Sequence, residues 1–331
     1  MTTTFIPGAL QWLGIAKETT YGTPVAAPTI WVPVDTPLWK PIPQQLKDNA
    51  LRGLMGTTYQ QVQGVRHDEI TYKTYIYADS IFSHLLAALG GTDTVTGTVA
   101  PYTHKASLYN TTDATHNAQP TSWTVFLYQG DGKVVQMPGA IISDIKVTIK
   151  ADNALPTVDV TWMGMPSTFI TAPTSTPTAL APMPAYTAAV TIGGTANTEY
   201  TDVTLDIKRT TTAIPVLNGT QNPLAIGGFN LNVTGTINGV YQGTTDVNLT
   251  DLLANTHPAL SVSLFGAGDS THPLTFQMSS VAFDTVNPTG SPTSYMPISG
   301  NFEALMNPTD ALDSKQSPIQ VQIANTQSTP F

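Results

Sequence analysis

The chain has no cysteine, which excludes disulfide frameworks, thiolate nucleophiles and cysteine-ligated zinc. It also has little charge. Only 11% of its 331 residues are Asp, Glu, Lys or Arg, and 13 basic against 22 acidic residues give a net charge of −9. The basic residues form no run, and an acidic chain without clustered Lys and Arg is not built to grip nucleic acid. No apolar run approaches the roughly 20 residues of a membrane-spanning helix, so no membrane partner is expected. The opening MTTTFIPGALQW has neither a basic n-region nor a long apolar h-region and does not read as a signal peptide. The N-x-Ser/Thr sites at Asn110, Asn218, Asn232 and Asn248 then read as chance matches in a threonine-rich chain.

Catalytic patterns are equally scarce. The six histidines, His67, His84, His104, His116, His257 and His272, include no two at metal-ligand spacing on one element. YQGDGKVV contains Gly-x-Gly-Lys, but it joins two strands and no helix follows, so it reads as a hairpin turn and not a phosphate cradle. Asp68 and Glu69 are adjacent on a strand and point to opposite faces, so they cannot act as a facing carboxylate pair. The five tryptophans, Trp12, Trp31, Trp39, Trp123 and Trp162, all fall in strands, where packing is the default role. The expectation is a non-enzyme with no cofactor and no metal.

What the sequence does have is threonine, roughly one position in six and well above ordinary usage. Thr is β-branched and suits a half-buried pleated surface. The 26 prolines and 25 glycines are spread along the chain, as many short strands and turns require. QWLGIAKE and TIWVPVD are strand-like, and DEITYKTYIY alternates cleanly, with Ile70, Tyr72, Thr74 and Ile76 on one face. PLWKPIPQQLKDNALRGLMG reads as a strand, a polar tip at Lys47, Asp48 and Asn49, and a return strand. ADSIFSHLLAALGG is the clearest helix, with Asp79 as the expected N-cap, Ile81, Phe82, Leu85, Leu86 and Leu89 as its apolar stripe, and Gly90 at the left-handed end. Residues 91–120 read as a long polar loop carrying His104 and His116, and the tail beyond Asn307 as loosely patterned.

The second half repeats this order. TDVNLTDLLANTHP places Asp246, Leu249, Leu252, Leu253 and Ala254 at one constant offset from Asp79, Phe82, Leu85, Leu86 and Ala87. Asn218 and Gly219 stand at a tip corresponding to Asp48 and Asn49, Gln277-Met278 echoes Gln136-Met137, and Phe302 stands where the first half has Trp162. Repetition of strand-arm, strand, helix and three strands points to internal duplication. The expected organisation is a β unit over 1–170, a Pro/Thr-rich linker over 171–185 and a second β unit with a polar tail over 186–331.

The run LGIAKETTYGTPVAAPTIWVPV (Leu13 to Val34) resembles the opening of major tail proteins, the tail tube proteins of long-tailed phages with non-contractile, siphovirus-type tails. The polar-tipped arm, the packed helix and the threonine-rich surface resemble that family along nearly the whole chain. The resemblance implies a mainly β fold of two tandem tube-like sandwich or barrel units, each with one packed helix and each contributing strands to a ring-wide inner β-barrel. It implies a virion structural protein, assembled in the host cytoplasm, whose rings stack into a tube. Its partners would be other copies of itself, a tape measure protein in the lumen, tail terminator and distal tail proteins at the ends, and double-stranded DNA in transient passage without specific binding. A duplicated chain would form rings of three with pseudo-six-fold symmetry, which is favoured over a true hexamer whose second half would be an added outer domain. The arms at Lys47, Asp48, Asn49, Asn218 and Gly219 are the candidate inter-subunit contacts, and Phe82, Leu85, Leu86, Leu249, Leu252 and Leu253 the helix-packing residues. The alternative is a tandem β-sandwich adhesin or carbohydrate-binding module, which exposed tryptophans would suit.

Overall fold

A computed structural model describes residues 5–331 apart from Leu54, Thr57, 113–116, 153–154, Ser270, Ser291, Thr293 and Ser314. In chain order the elements are β1 (Trp12–Lys17), β2 (Ile30–Val32), β3 (Asp35–Asp48), β4 (Gln60–Tyr75), α1 (Ile81–Leu89), β5 (Thr94–Thr96), β6 (Tyr102–Ser107), β7 (Trp123–Tyr128), β8 (Lys133–Lys150), β9 (Thr157–Gly164) and β10 (Thr168–Thr171). They continue with β11 (Ala189–Ile192), β12 (Thr195–Asn197), β13 (Tyr200–Ala213), β14 (Ile226–Val240), α2 (Val247–Ala254), β15 (Leu260–Leu264), β16 (Leu274–Met278), β17 (Val281–Pro288), β18 (Pro297–Ala304) and β19 (Gln320–Asn325). The chain is mainly β, as threonine content and alternation predict, and every strand pairing is antiparallel.

The strands form a β-sandwich of a 12-stranded and a 7-stranded sheet. Through the larger sheet runs the continuous order β3-β4-β9-β8-β13-β14-β18-β17. Its first four strands come from the first half of the chain and its last four from the second. The long β8 serves twice: its C-terminal part pairs β9 and β13, and its N-terminal part pairs β7 and β10. The smaller sheet, β12-β11-β15-β16-β19-β6-β5, also draws on both halves. The main hydrophobic cluster accordingly joins Leu13, Ile70 and Trp162 to Leu205, Phe276, Phe302 and Ile323.

Several expectations are corrected. Residues 91–120 are not all loop, since β5 and β6 lie there, with His104 fully buried. The tail is not loose either, because β19 sits between β16 and β6 with Val321 and Ile323 fully buried. The two strands pair with each other from Gln320↔Ser107 to Asn325↔Tyr102, and apart from the three-residue β5 beside β6 little in the local sequence announces them. The segment after β10 is irregular, but Met183 is buried and donates its backbone N–H to Ile76 O. Asp79 does not cap α1. The helix starts after Ser80, the N–H groups of Ser80 and Ile81 go to Tyr77 O, and Asp79 Oδ1 is buried without a partner.

Candidate assembly surface

The eight-strand run repeats itself in detail. Trp162 and Phe302 are both buried and occupy matching places. Trp162 lies opposite Ile70 and Ile142, Phe302 opposite Gly235 and Phe283. Outward from these, Ile70 faces Trp39 and Gly235 faces Leu205. A register shift falls between Ile142 and Asp144 on β8 and, at the matching step, between Phe283 and Thr285 on β17. A second falls between Pro43 and Gln45 on β3 and, again matching, between Arg209 and Thr211 on β13. Bulges re-aim a strand and are placed features, so coincidence at two matching steps marks equivalent strands. The helices follow suit, α1 packing on β8 and α2 on β17.

One face of this run is core and the other is polar. The alternation of β3, β4, β9, β8, β13 and β18 sets Asp35, Glu69, Asp144, Asp159, Asp202, Asp206 and Glu303 on the polar face with Lys40, Lys73, Lys146, Lys150 and Lys208. Opposite charges are interleaved there: Lys40–Glu69 at 3.9 Å, Lys73–Asp159 at 3.8 Å and Lys208–Asp206 at 2.6 Å. The acidic balance of the whole chain is therefore not gathered on this face. Asp144 is pushed up to about 6, first by burial and then by the Asp206 carboxylate beside it.

Among the described residues the run ends in two unpaired edges, since β3 pairs only β4 and β17 only β18. Two arms project from it. In the first, Lys47 lies near the end of β3, the Asp48 carboxylate pairs with Arg52, and Asn49 Oδ1 accepts from Thr58 Oγ1 at 3.1 Å. In the second, Asn218 Oδ1 accepts from Thr220 N at 3.0 Å, and Gly219 takes a positive φ of 73°. The structure brings the arms together within one chain: Arg66 N donates to Gln221 O, and Gln221 Nε2 to Gln63 O. Large apolar side chains sit bare at both tips, with Leu51 99%, Met55 101% and Leu217 108% exposed, where a solitary subunit gains nothing from them. Leu54, at the end of the first arm as read from sequence, lies outside the described residues.

At the base of the first arm a buried cluster fixes its angle. Asp68 accepts from Arg66 at 2.7 and 2.8 Å, from Trp39 Nε1 at 2.9 Å and from the backbone N of Ser167 at 3.1 Å. Burial pushes this carboxyl up, but the bonds from Arg66, Ser167 and Trp39 outweigh it and hold it below its usual value.

The other buried polar groups are anchors. Glu18 accepts from Ser122, Thr124, Gly22 and Gly139 at 2.6–2.9 Å. His104 joins Asp93 at 2.7 Å and Gln327 O at 2.8 Å; His116 lies outside the described residues. Among the described residues no group of three or more His, Asp or Glu is placed to hold a metal. Phe82, Leu85 and Leu86 are buried, and Leu249 and Leu252 are half-buried against the core, but Leu253 is 77% exposed. That last placement differs from the expected stripe because α2 has a neighbour on one side only.

The polar tips of the arms are legible in the sequence, whereas the sheet edges are set by pairing and are not. A signal for one was present: Pro37, Pro41 and Pro43 punctuate β3, and a proline-bearing strand belongs at a sheet edge.

The described residues thus make a β-sandwich with a repeated strand order, two open edges and projecting arms, its buried polar groups anchoring loops. The statistical model of the phage tail tube protein family matches residues 8–323, and the chain belongs to that family. No curated protein matches it.

Proposed function

We propose that this chain self-assembles into stacked rings that form the tail tube of a siphovirus-type phage, three chains to a ring with pseudo-six-fold symmetry. The observation that supports this is the doubled order β3-β4-β9-β8 then β13-β14-β18-β17, in which one chain fills two ring positions. Three such chains close a barrel on the order of 45 Å across its backbone at ordinary strand spacing and tilt. Closure removes the open edges, and head-to-tail stacking then grows in one dimension only. On this reading the polar face lines the lumen. Its interleaved charges and threonines present no basic patch to phosphates, so DNA leaving the head passes without binding. The tape measure protein occupies the lumen before that, the tail terminator and distal tail proteins close the ends, and assembly takes place in the host cytoplasm. The binding-module alternative loses its platform, since Trp123 and Trp162 are buried and Trp12, Trp31 and Trp39 partly so.

Negative-stain electron microscopy of concentrated protein, averaged down the long axis, with mass per ring, tests the proposal. Hollow tubes or rings with the mass of three chains are expected. Rings of six chains would leave the tube and remove the pseudo-symmetry. Dispersed particles that never form rings, even when seeded with tail tips, would remove both.

A further inference from the structure

The sheet contains one joint between repeats and lacks its counterpart. Inside the chain β8 meets β13 in the register Asp144↔Lys208, Lys146↔Asp206 and Thr148↔Thr204. By the equivalences above, β17 stands for β8 and β3 for β13, yet these two strands lie at opposite ends of the eight-strand run and cannot meet within one chain.

We propose that the β17 edge of one chain pairs antiparallel with the β3 edge of the next in the register of β8 with β13, setting Asn287 opposite Lys40 as Lys146 is opposite Asp206. This rests on the tube reading and deepens it, because it names the two edges and their alignment. Backbone directions agree. Within the chain Ala151 N donates to Thr201 O, so by alternation Ile145 and Val147 turn their N–H groups toward β13. On β17, Thr289 N goes to Pro297 O, so Val286 and Pro288 face outward. On β3, Arg66 N turns away to Gln221 O, so Pro43, opposite Arg66, faces outward, and with it Pro41 and Trp39.

The copied register then sets Val286 against Pro41 and Pro288 against Trp39. Each pair holds one proline, so each keeps one backbone hydrogen bond where the internal joint has two. The joint between chains is thus a weakened copy of the joint within the chain. Prolines on both edges also keep the free subunit from zipping onto any strand it meets.

A chain without cysteine allows a direct test. Lys40 and Asn287 are exposed, and facing residues of a non-hydrogen-bonded antiparallel pair lie about 4.5 Å apart at Cα, within disulfide range. The double variant Lys40→Cys, Asn287→Cys, assembled and then oxidised, should run on a non-reducing gel as cross-linked chains ending at a closed trimer. The displaced pair Lys40→Cys, Thr289→Cys should give none, its Cα atoms being more than about 7 Å apart. Cross-linking of the displaced pair instead, or of neither pair in tubes seen by microscopy, would overturn the register while leaving the tube reading standing. Absence of rings from the unmodified chain would overturn the tube reading and the joint with it.

Discussion

The helices α1 and α2 have the same sequence signature and opposite surroundings. All nine residues of α1 are buried, whereas in α2 only Asn248 is. Both lie on the equivalent strand of their own repeat, but α1 is also packed against β6, β19 and β13. From β13, Arg209 donates to Ala88 O at 2.9 and 3.0 Å and to Leu89 O at 3.1 Å, a cation set at the negative end of the helix. Burial brings its guanidinium down to about 10. The residue of β3 that matches Arg209 is Pro43, which carries no guanidinium. The helix α2 closes on itself instead: Asn255, at a positive φ of 53°, gives its N–H to Asp251 O and Leu252 O. One repeat is stabilised by the rest of the chain, and the other by its own capping.

Leu86 and Leu253 hold equivalent positions, so a charge at each breaks the comparison most sharply. Leu86→Asp buries an unpaired carboxylate and should cost more than about 4 kcal/mol, read as loss of soluble folded protein. Second in size is an acid effect found only in α1. His84, fully buried, meets Tyr72 Oη at 2.7 Å and Ser80 O at 2.9 Å, and Trp162 Nε1 donates to the same Tyr72 oxygen at 2.9 Å. Burial lowers its pKa from 6.5 to about 4. The unfolded chain therefore takes up the proton first, and stability present above pH 6.5 falls as pH drops toward 4, by about 3 kcal/mol. Urea titrations at pH 7 and pH 4 should show that loss, and His84→Gln should show less of it.

Smaller effects separate the two helix starts. Asp246 accepts from Asn248 N at 3.1 Å and Leu249 N at 3.4 Å, so Asp246→Ala should cost about 1 kcal/mol. Asp79→Ala should not destabilise, because its Oδ1 has no partner. At the small end, Leu253→Asp in dispersed subunits should shift stability by less than about 0.5 kcal/mol. A Leu253→Asp effect matching that of Leu86→Asp would show that α2 is as enclosed as α1.

The same contrast explains what could be read from the sequence. The alternation in DEITYKTYIY, the helical spacing of Phe82, Leu85 and Leu86, and the match of Trp162 with Phe302 are local or are repeated, and so are visible. That repetition does not carry the exposure of Leu253, because the two helices differ in what lies beyond them. His104 reads as a loop residue because β6 has only the three-residue β5 as a local partner and finds its long one, β19, more than 200 positions later. The edges at β3 and β17 are not legible because an edge is defined by what a strand does not pair with, and only the prolines of β3 and Pro288 at the end of β17 hint at them.

That distant pairing also sets a timetable for synthesis. The place in the smaller sheet between β16 and β6 stays empty until residue 325 has been made, because β19 alone fills it. Pairings so far apart close slowly and late. A nascent chain holding all twelve strands of the larger sheet still lacks the middle of the other layer.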